Sequence, residues 1–154
     1  MERVKINDMD PGFKDLVAQQ PGGEGIRACF VCKACSASCP VKAIDDKYDP
    51  RKIIRMIMLG MKKEVLESQY IWLCSSCYGC HEACPQNVRL TEVMFAVKNL
   101  AVAEACVPPG LTAQKSLLKQ HGRLYEVTEF ENDKRAKLGL PPIVEHPEDY
   151  DELL

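Results

Sequence analysis

Between residues 50 and 61 the apolar positions fall at helical spacing, with Ile53, Ile54, Ile57, Met58 and Met61 sharing one face. Asp49-Pro50 stands just ahead of them and reads as a helix start, Asp as the cap and Pro in the first helical position. A second run, Val93, Met94, Val97, Leu100 and Ala101, predicts a helix capped by Thr91 and reaching about Cys106, ended by Pro108-Pro109-Gly110. Nearer the N-terminus, Asp10-Pro11 starts a short helix that Pro21-Gly22-Gly23 stops, and the next begins over 26–35. Further helices are expected over 111–120 and 124–138, the latter closing on Gly139, Leu140 and two prolines. Residues 143–154 are acidic without periodicity, so they read as a disordered tail or as a segment that docks on a partner. Met56, Met58, Met61 and Met94 fit core filling better than an interaction surface. The pattern predicts an all-α protein in three parts: an N-terminal helical segment over 1–23, a central domain over 24–110, and a helical extension with an acidic tail over 111–154.

Composition narrows the function. The chain has 154 residues, 46% of them hydrophobic and 27% charged, as in an average soluble domain. Lys and Arg number 20 against 22 Asp and Glu, and a net charge of −2 leaves no basic footprint for a nucleic-acid partner. No apolar run approaches the 18 or more residues that a membrane-spanning helix needs. The first twenty residues hold no secretory leader, so the expected workplace is the cytoplasm, with no membrane partner. Nine cysteines are then the outlying number. The count is odd and cytosolic thiols are kept reduced, which favours metal ligation over a disulfide framework.

Eight of the nine form two copies of one motif, C-x2-C-x2-C-x3-C-P: Cys29, Cys32, Cys35, Cys39 with Pro40, and Cys74, Cys77, Cys80, Cys84 with Pro85. This is the bacterial ferredoxin run, in which three thiolates hold one [4Fe–4S] cube and the fourth reaches across to the other. On that pattern Cys29, Cys32, Cys35 and Cys84 serve cluster 1, and Cys74, Cys77, Cys80 and Cys39 serve cluster 2. Cysteines three apart in a tight turn face a common point, and the proline after the fourth turns the chain away from helix. Zinc is the alternative, although structural zinc sites show cysteine pairs separated by a loop instead of this repeated triplet. Gly79 either lets backbone approach a sulfide or is an ordinary turn glycine. His81 reads as a surface or supporting residue, because four thiolates already serve each cube, and Cys106 reads as a buried packing thiol outside both motifs.

The long helical insert between the motifs sets this chain apart from a compact ferredoxin, whose motifs are joined by short strands and turns. It points to an alpha-helical ferredoxin domain. No nucleophile with a base, no G-x-G-x-x-G and no G-x4-G-K-[ST] is present, so no catalytic residue is assigned and electron conduction is the function left. Such a relay needs partner subunits at both ends.

The stretches CFVCKACSASCP, DPRKIIRMIMLGMKKEVL and IWLCSSCYGCHEACPQNV, with the closing RAKLGLPP, resemble the C-type subunit of heterodisulfide reductase over most of the chain. The resemblance implies a helical subunit with two [4Fe–4S] clusters that passes electrons from the A-type subunit, which bears flavin and iron–sulfur centres, to the catalytic B-type subunit. There a disulfide such as that of coenzymes M and B is reduced in methanogenesis. Fused relatives carry Cys-Cys pairs for that chemistry, and this chain has no Cys-Cys dipeptide, which places the disulfide site on another chain. Similar subunits serve complexes of sulfur oxidation or flavin-based bifurcation. A free-standing dicluster ferredoxin and a zinc-stabilised interaction module are the readings from other classes. The iron–sulfur subunit of a succinate or fumarate oxidoreductase would bring an N-terminal C-x4-C-x2-C domain, and no cysteine precedes Cys29.

Overall fold

A computed structural model describes residues 5–150, and among these the chain is helical with no strand. It divides into two compact units, Met1–Cys106 and Val107–Leu154.

The first unit opens with helix α1 (Phe13–Gln19), which buries Phe13 and Val17. Asp10 accepts the Gly12 N–H at 2.9 Å, so Asp10-Pro11 forms a turn just before the helix instead of its first residues. The first four residues of the expected N-terminal segment lie outside the described residues. Gly23 is required by contact: a Cβ there would lie 1.9 Å from the Val17 carbonyl oxygen. The helix expected over 26–35 does not form. A 3-10 turn over Glu24–Ala28 gives way to extended backbone at Cys29, and only Ala34–Ala37 (α2) is α-helical. The reason lies in Val31 and Lys33, whose φ values of 61° and 90° no continuous helix accepts.

Helix α3 (Pro40–Ile44) follows, then α4 (Pro50–Met58), whose start is as expected. Asp49 accepts the Lys52 N–H at 3.2 Å and the Ser36 hydroxyl at 2.5 Å, which ties this cap to α2. Burial alone would raise the pKa of Asp49, but these two hydrogen bonds hold its carboxyl below the usual carboxylate range. Ile53, Ile54 and Ile57 are buried, and Met56 and Met58 pack on the same core, as does the fully buried Met94. The helix stops before Met61, because the chain reverses at Gly60 (φ 77°), whose carbonyl accepts the Asp10 N–H at 2.7 Å. Helix α5 (Lys62–Leu66), a 3-10 turn over Gln69–Leu73 and helix α6 (Gly79–Glu82) lead to the longest element, α7 (Leu90–Ala103).

Helix α7 is the post around which this unit is built, touching α1, α5 and α6. It starts one residue before the expected cap: Arg89 is the N-cap, and Thr91 lies buried inside the first turn with its hydroxyl 3.7 Å from the Cys80 sulfur. It also ends at Ala103, short of Cys106, and Pro108-Pro109-Gly110 opens the next helix instead of closing this one. Proline at a first helical position has no N–H to lose and a suitable φ, so the same tripeptide serves as a start.

In the second unit, α8 (Pro109–His121) ends at Gly122, and α9 (Glu129–Lys137) is shorter than the expected 124–138. Thr128 and Glu131 form a capping box that sets the start of α9, a T-x-x-E signal that the apolar spacing from Leu124 obscured. Neither helix buries a residue fully, and polar ties hold the unit. Asn132 accepts the Ile143 N–H at 2.8 Å, and Glu145 accepts the Val127 N–H at 3.1 Å while lying 3.0 Å from His121 Nδ1. Residues 143–150 therefore run back along their own unit and end in a 3-10 turn over Pro147–Tyr150 against α8, where the sequence predicts a disordered tail or a docking segment. The last four residues of that stretch lie outside the described residues. No described helix is long and apolar enough to cross a membrane.

Ile54, fully buried, and Ile44, 91% exposed, provide a matched test of this core. Ile54→Ala is expected to cost about 2–5 kcal/mol of stability and Ile44→Ala less than about 0.5 kcal/mol, measured by anaerobic denaturant unfolding.

Candidate metal centres

The two cysteine motifs adopt the same backbone. Val31 and Lys33 in the first correspond to Ser76 and Tyr78 in the second, and all four have positive φ, at 61°, 90°, 54° and 62°. A valine in the left-handed region is a genuine outlier, and such residues persist only where their surroundings dictate them. Lys33 and Tyr78 then act as the left-handed N-caps of the one-turn helices α2 and α6. Burial repeats as well. The third cysteine of each motif, Cys35 and Cys80, is buried at 8% and 9% exposure, the second, Cys32 and Cys77, is exposed, and the first and fourth lie between.

Between them the motifs enclose two cavities. One is lined by Cys29, Cys32, Cys35 and Cys84 together with Phe30, Arg51 and Val88. The other is lined by Cys39, Cys74, Cys77 and Cys80 together with Tyr48, Tyr78 and Thr91. Each cavity thus takes three cysteines from one motif and the fourth from the other, the same sets that the ferredoxin pattern pairs. Among the described residues no three His, Cys, Asp or Glu side chains converge on one ion position. The thiols surround a volume, which suits the four corners of a cube better than a zinc ion with every sulfur about 2.3 Å from one centre.

The remaining groups named from the sequence fall outside these cavities. Cys106 is half-buried, packs against the core and lies 3.5 Å from the Glu104 carbonyl, in keeping with a packing thiol. His81 is half-buried with its ring 5.9 Å from that of Tyr78, and it lines neither cavity. A Cβ on Gly79 would lie 3.3 Å from the Ser38 carbonyl oxygen and 3.7 Å from the Cys77 sulfur. Its small size therefore serves the close packing of one motif on the backbone of the other, while Tyr78 takes the left-handed turn.

Donors reach the sulfurs from several directions. The Lys42 N–H points to the Cys39 sulfur at 3.5 Å and the Val88 N–H to the Cys84 sulfur at 3.4 Å. Burial pushes the Cys35 thiol up to about 11, a rise that the Ser36 hydrogen bond only partly offsets, and burial likewise raises Cys80 against the opposing Thr91 hydroxyl. Tyr48 is raised further, first by burial and then by the neighbouring Cys74, so its phenol stays protonated as a donor beside that sulfur. Buried thiols of this kind ionise when a metal displaces their protons, so metal binding and folding are coupled. Arg51 Nε is buried in the wall of the first cavity without a hydrogen-bond partner. A thiolate-ligated cube carries net negative charge and sulfur acceptors, and this orphan donor fits it.

Tyr48, Arg51 and Thr91 line the cavities but escape the motif. Tyr48 carries no periodic signal, and Thr91 resembles a helix cap. Arg51 did leave a trace: a cation in the first turn of a helix opposes the helix dipole and calls for an anion nearby.

Residues 23–88 match the family model described as a 4Fe-4S dicluster domain. The chain is 30% identical to the iron-sulfur C-type subunit (form 2) of the CoB–CoM heterodisulfide reductase of Methanocaldococcus jannaschii, over 92% of this chain and 78% of that protein. It is 31% identical to the C-type subunit of the ferredoxin:CoB-CoM heterodisulfide reductase of Methanosarcina mazei, over 90% and 85% of the two chains. Identity to the corresponding iron-sulfur subunit of Methanopyrus kandleri is 26%, over 98% of this chain and 82% of that one. Two thiol-lined cavities, a dicluster domain spanning both motifs, and relatives matched along most of their length place the chain in the family of heterodisulfide reductase C-type subunits, as an iron–sulfur protein with two [4Fe–4S] clusters.

Proposed function

We propose that Cys29, Cys32, Cys35 and Cys84 hold one cluster and Cys39, Cys74, Cys77 and Cys80 the other, and that the chain is the electron-relay subunit of a heterodisulfide reductase complex. The observation that carries the ligand assignment is the lining of the two cavities, each completed by a cysteine of the opposite motif. When bound, each cube accepts and releases one electron at a time. The protein holds the pair in one rigid frame, with α2 packed on α6 and both motifs set against the core. Cys35 and Cys80 are shielded, whereas Cys32 and Cys77 are exposed and offer each cavity an edge toward a partner.

The relay runs from an A-type subunit with flavin and iron–sulfur centres to a B-type subunit that reduces the disulfide. Relatives are named for CoB-CoM heterodisulfide reduction, and we infer the same substrate for the complex that this chain serves. No Cys-Cys dipeptide occurs here, so the disulfide chemistry belongs to the partner.

Anaerobically purified chain is expected to carry about eight irons, to show no disulfide reductase activity alone, and to co-purify from native extract with larger subunits, one bearing Cys-Cys-Gly repeats. Activity of the isolated chain, or elution of the native protein as a free monomer, would count against the relay reading.

The crossed ligand sets make a second prediction. Cys84→Ser is expected to alter the same one of two paramagnetic cluster signals as Cys32→Ser, although Cys84 belongs to the other motif, while Cys106→Ser leaves both signals and the iron content unchanged. Low-temperature paramagnetic resonance of dithionite-reduced protein reads all three.

A further inference from the structure

We infer that Arg51 is a positioning residue for electron transfer, whose guanidinium raises the reduction potential of the cluster held by Cys29, Cys32, Cys35 and Cys84; this rests on the ligand assignment proposed above. Three observations on Arg51 converge. It lines that cavity and not the other. Its Nε is buried without a hydrogen-bond partner, an arrangement that costs about 1–3 kcal/mol unless an acceptor is supplied. It takes part in none of the ion pairs among the described residues, so no carboxylate neutralises it at contact distance.

The location sharpens this. Arg51 sits in the first turn of α4, directly after Pro50, where the positive end of the helix dipole disfavours a cation. The Asp49 carboxylate is near enough to feel the Arg51 charge but makes no ion pair with it, its oxygen accepting from the Lys52 N–H and the Ser36 hydroxyl instead. An anionic cube in the cavity answers both the orphan N–H and the misplaced charge. The second cavity differs: its additional polar walls are the neutral hydroxyls of Tyr48, Ser75, Tyr78 and Thr91. Lys98 keeps its charge while donating to the Cys74 carbonyl at 3.4 Å, but it does not line the second cavity, whereas Arg51 forms part of the wall of the first.

A fixed cation favours the more negative of two redox levels. When the cube beside Arg51 gains one electron from a reduced donor, here dithionite and in the complex an iron–sulfur or flavin centre, the donor is oxidised by one electron and the cube becomes more negative by one charge. Arg51 stabilises that product more than the oxidised cube. At an effective dielectric constant of about 20, removing a unit charge within several ångströms shifts a one-electron equilibrium by roughly tenfold or more.

The test is a redox titration of anaerobic, iron-loaded protein followed by paramagnetic resonance, with the cluster in question identified as the one whose signal Cys32→Ser alters. Arg51→Met and Arg51→Gln both remove the charge. At the wild-type midpoint, each is expected to lower the reduced-to-oxidised ratio of that cluster roughly tenfold and to leave the other nearly unchanged, while Arg51→Lys restores most of the difference. Wild-type midpoints in either iron-complete neutral variant overturn the inference, as does loss of iron in all three variants, which would make Arg51 structural. Failure of the ligand assignment shows separately, as Cys32→Ser and Cys84→Ser altering different cluster signals.

Discussion

Neither cysteine motif can close a cavity alone, and that constraint organises the first unit. Three thiols of each motif and the fourth of the other must meet around two separate volumes, so the motifs lie against each other with α2 on α6 and Gly79 pressed to the Ser38 backbone. The residues between ligands are bent into left-handed conformations that valine, serine and tyrosine do not favour, and the strain is borne by the packing behind them. Phe13, Ile54, Ile57, Val93 and Val97 form that backing, and α7 runs through it. The modest apolar core is a clamp for the metal-binding loops, and the energy of cluster binding is also folding energy.

The parts of this design most legible in the sequence were those set by repetition and by helix caps. The doubled motif pointed to a dicluster domain, and Asp49-Pro50 to the start of α4, because each rests on short-range chemistry that tertiary packing does not override. The errors share a cause. Thr91 looks like a cap but is drawn into the first turn by a sulfur eleven residues away, and the run over 26–35 looks helical until its backbone is made to wrap around a cavity. Pro108-Pro109-Gly110 stops and starts helices equally well, and only the fold decides which. Tyr48 reaches its cavity by long-range approach, which no local pattern encodes, and the sole local trace of Arg51 is its charge in the first turn of α4.

The two cavities are alike in backbone and unlike in surroundings. Arg51 lines one, and neutral hydroxyls line the other with Lys98 beyond the wall beside Cys74, so residues outside the duplicated motif give its two copies different electrostatic settings.

The crossed closure also has a consequence for biosynthesis. Cys84 follows Cys35 by 49 residues (84 − 35), so at about 5–20 residues per second the first cavity stays incomplete for several seconds after its own three cysteines have been made. During that interval its thiols are open to oxidation or to capture by stray metal ions. Cofactor delivery therefore belongs after translation of the second motif, once Cys84, the last of the eight cysteines, has been made.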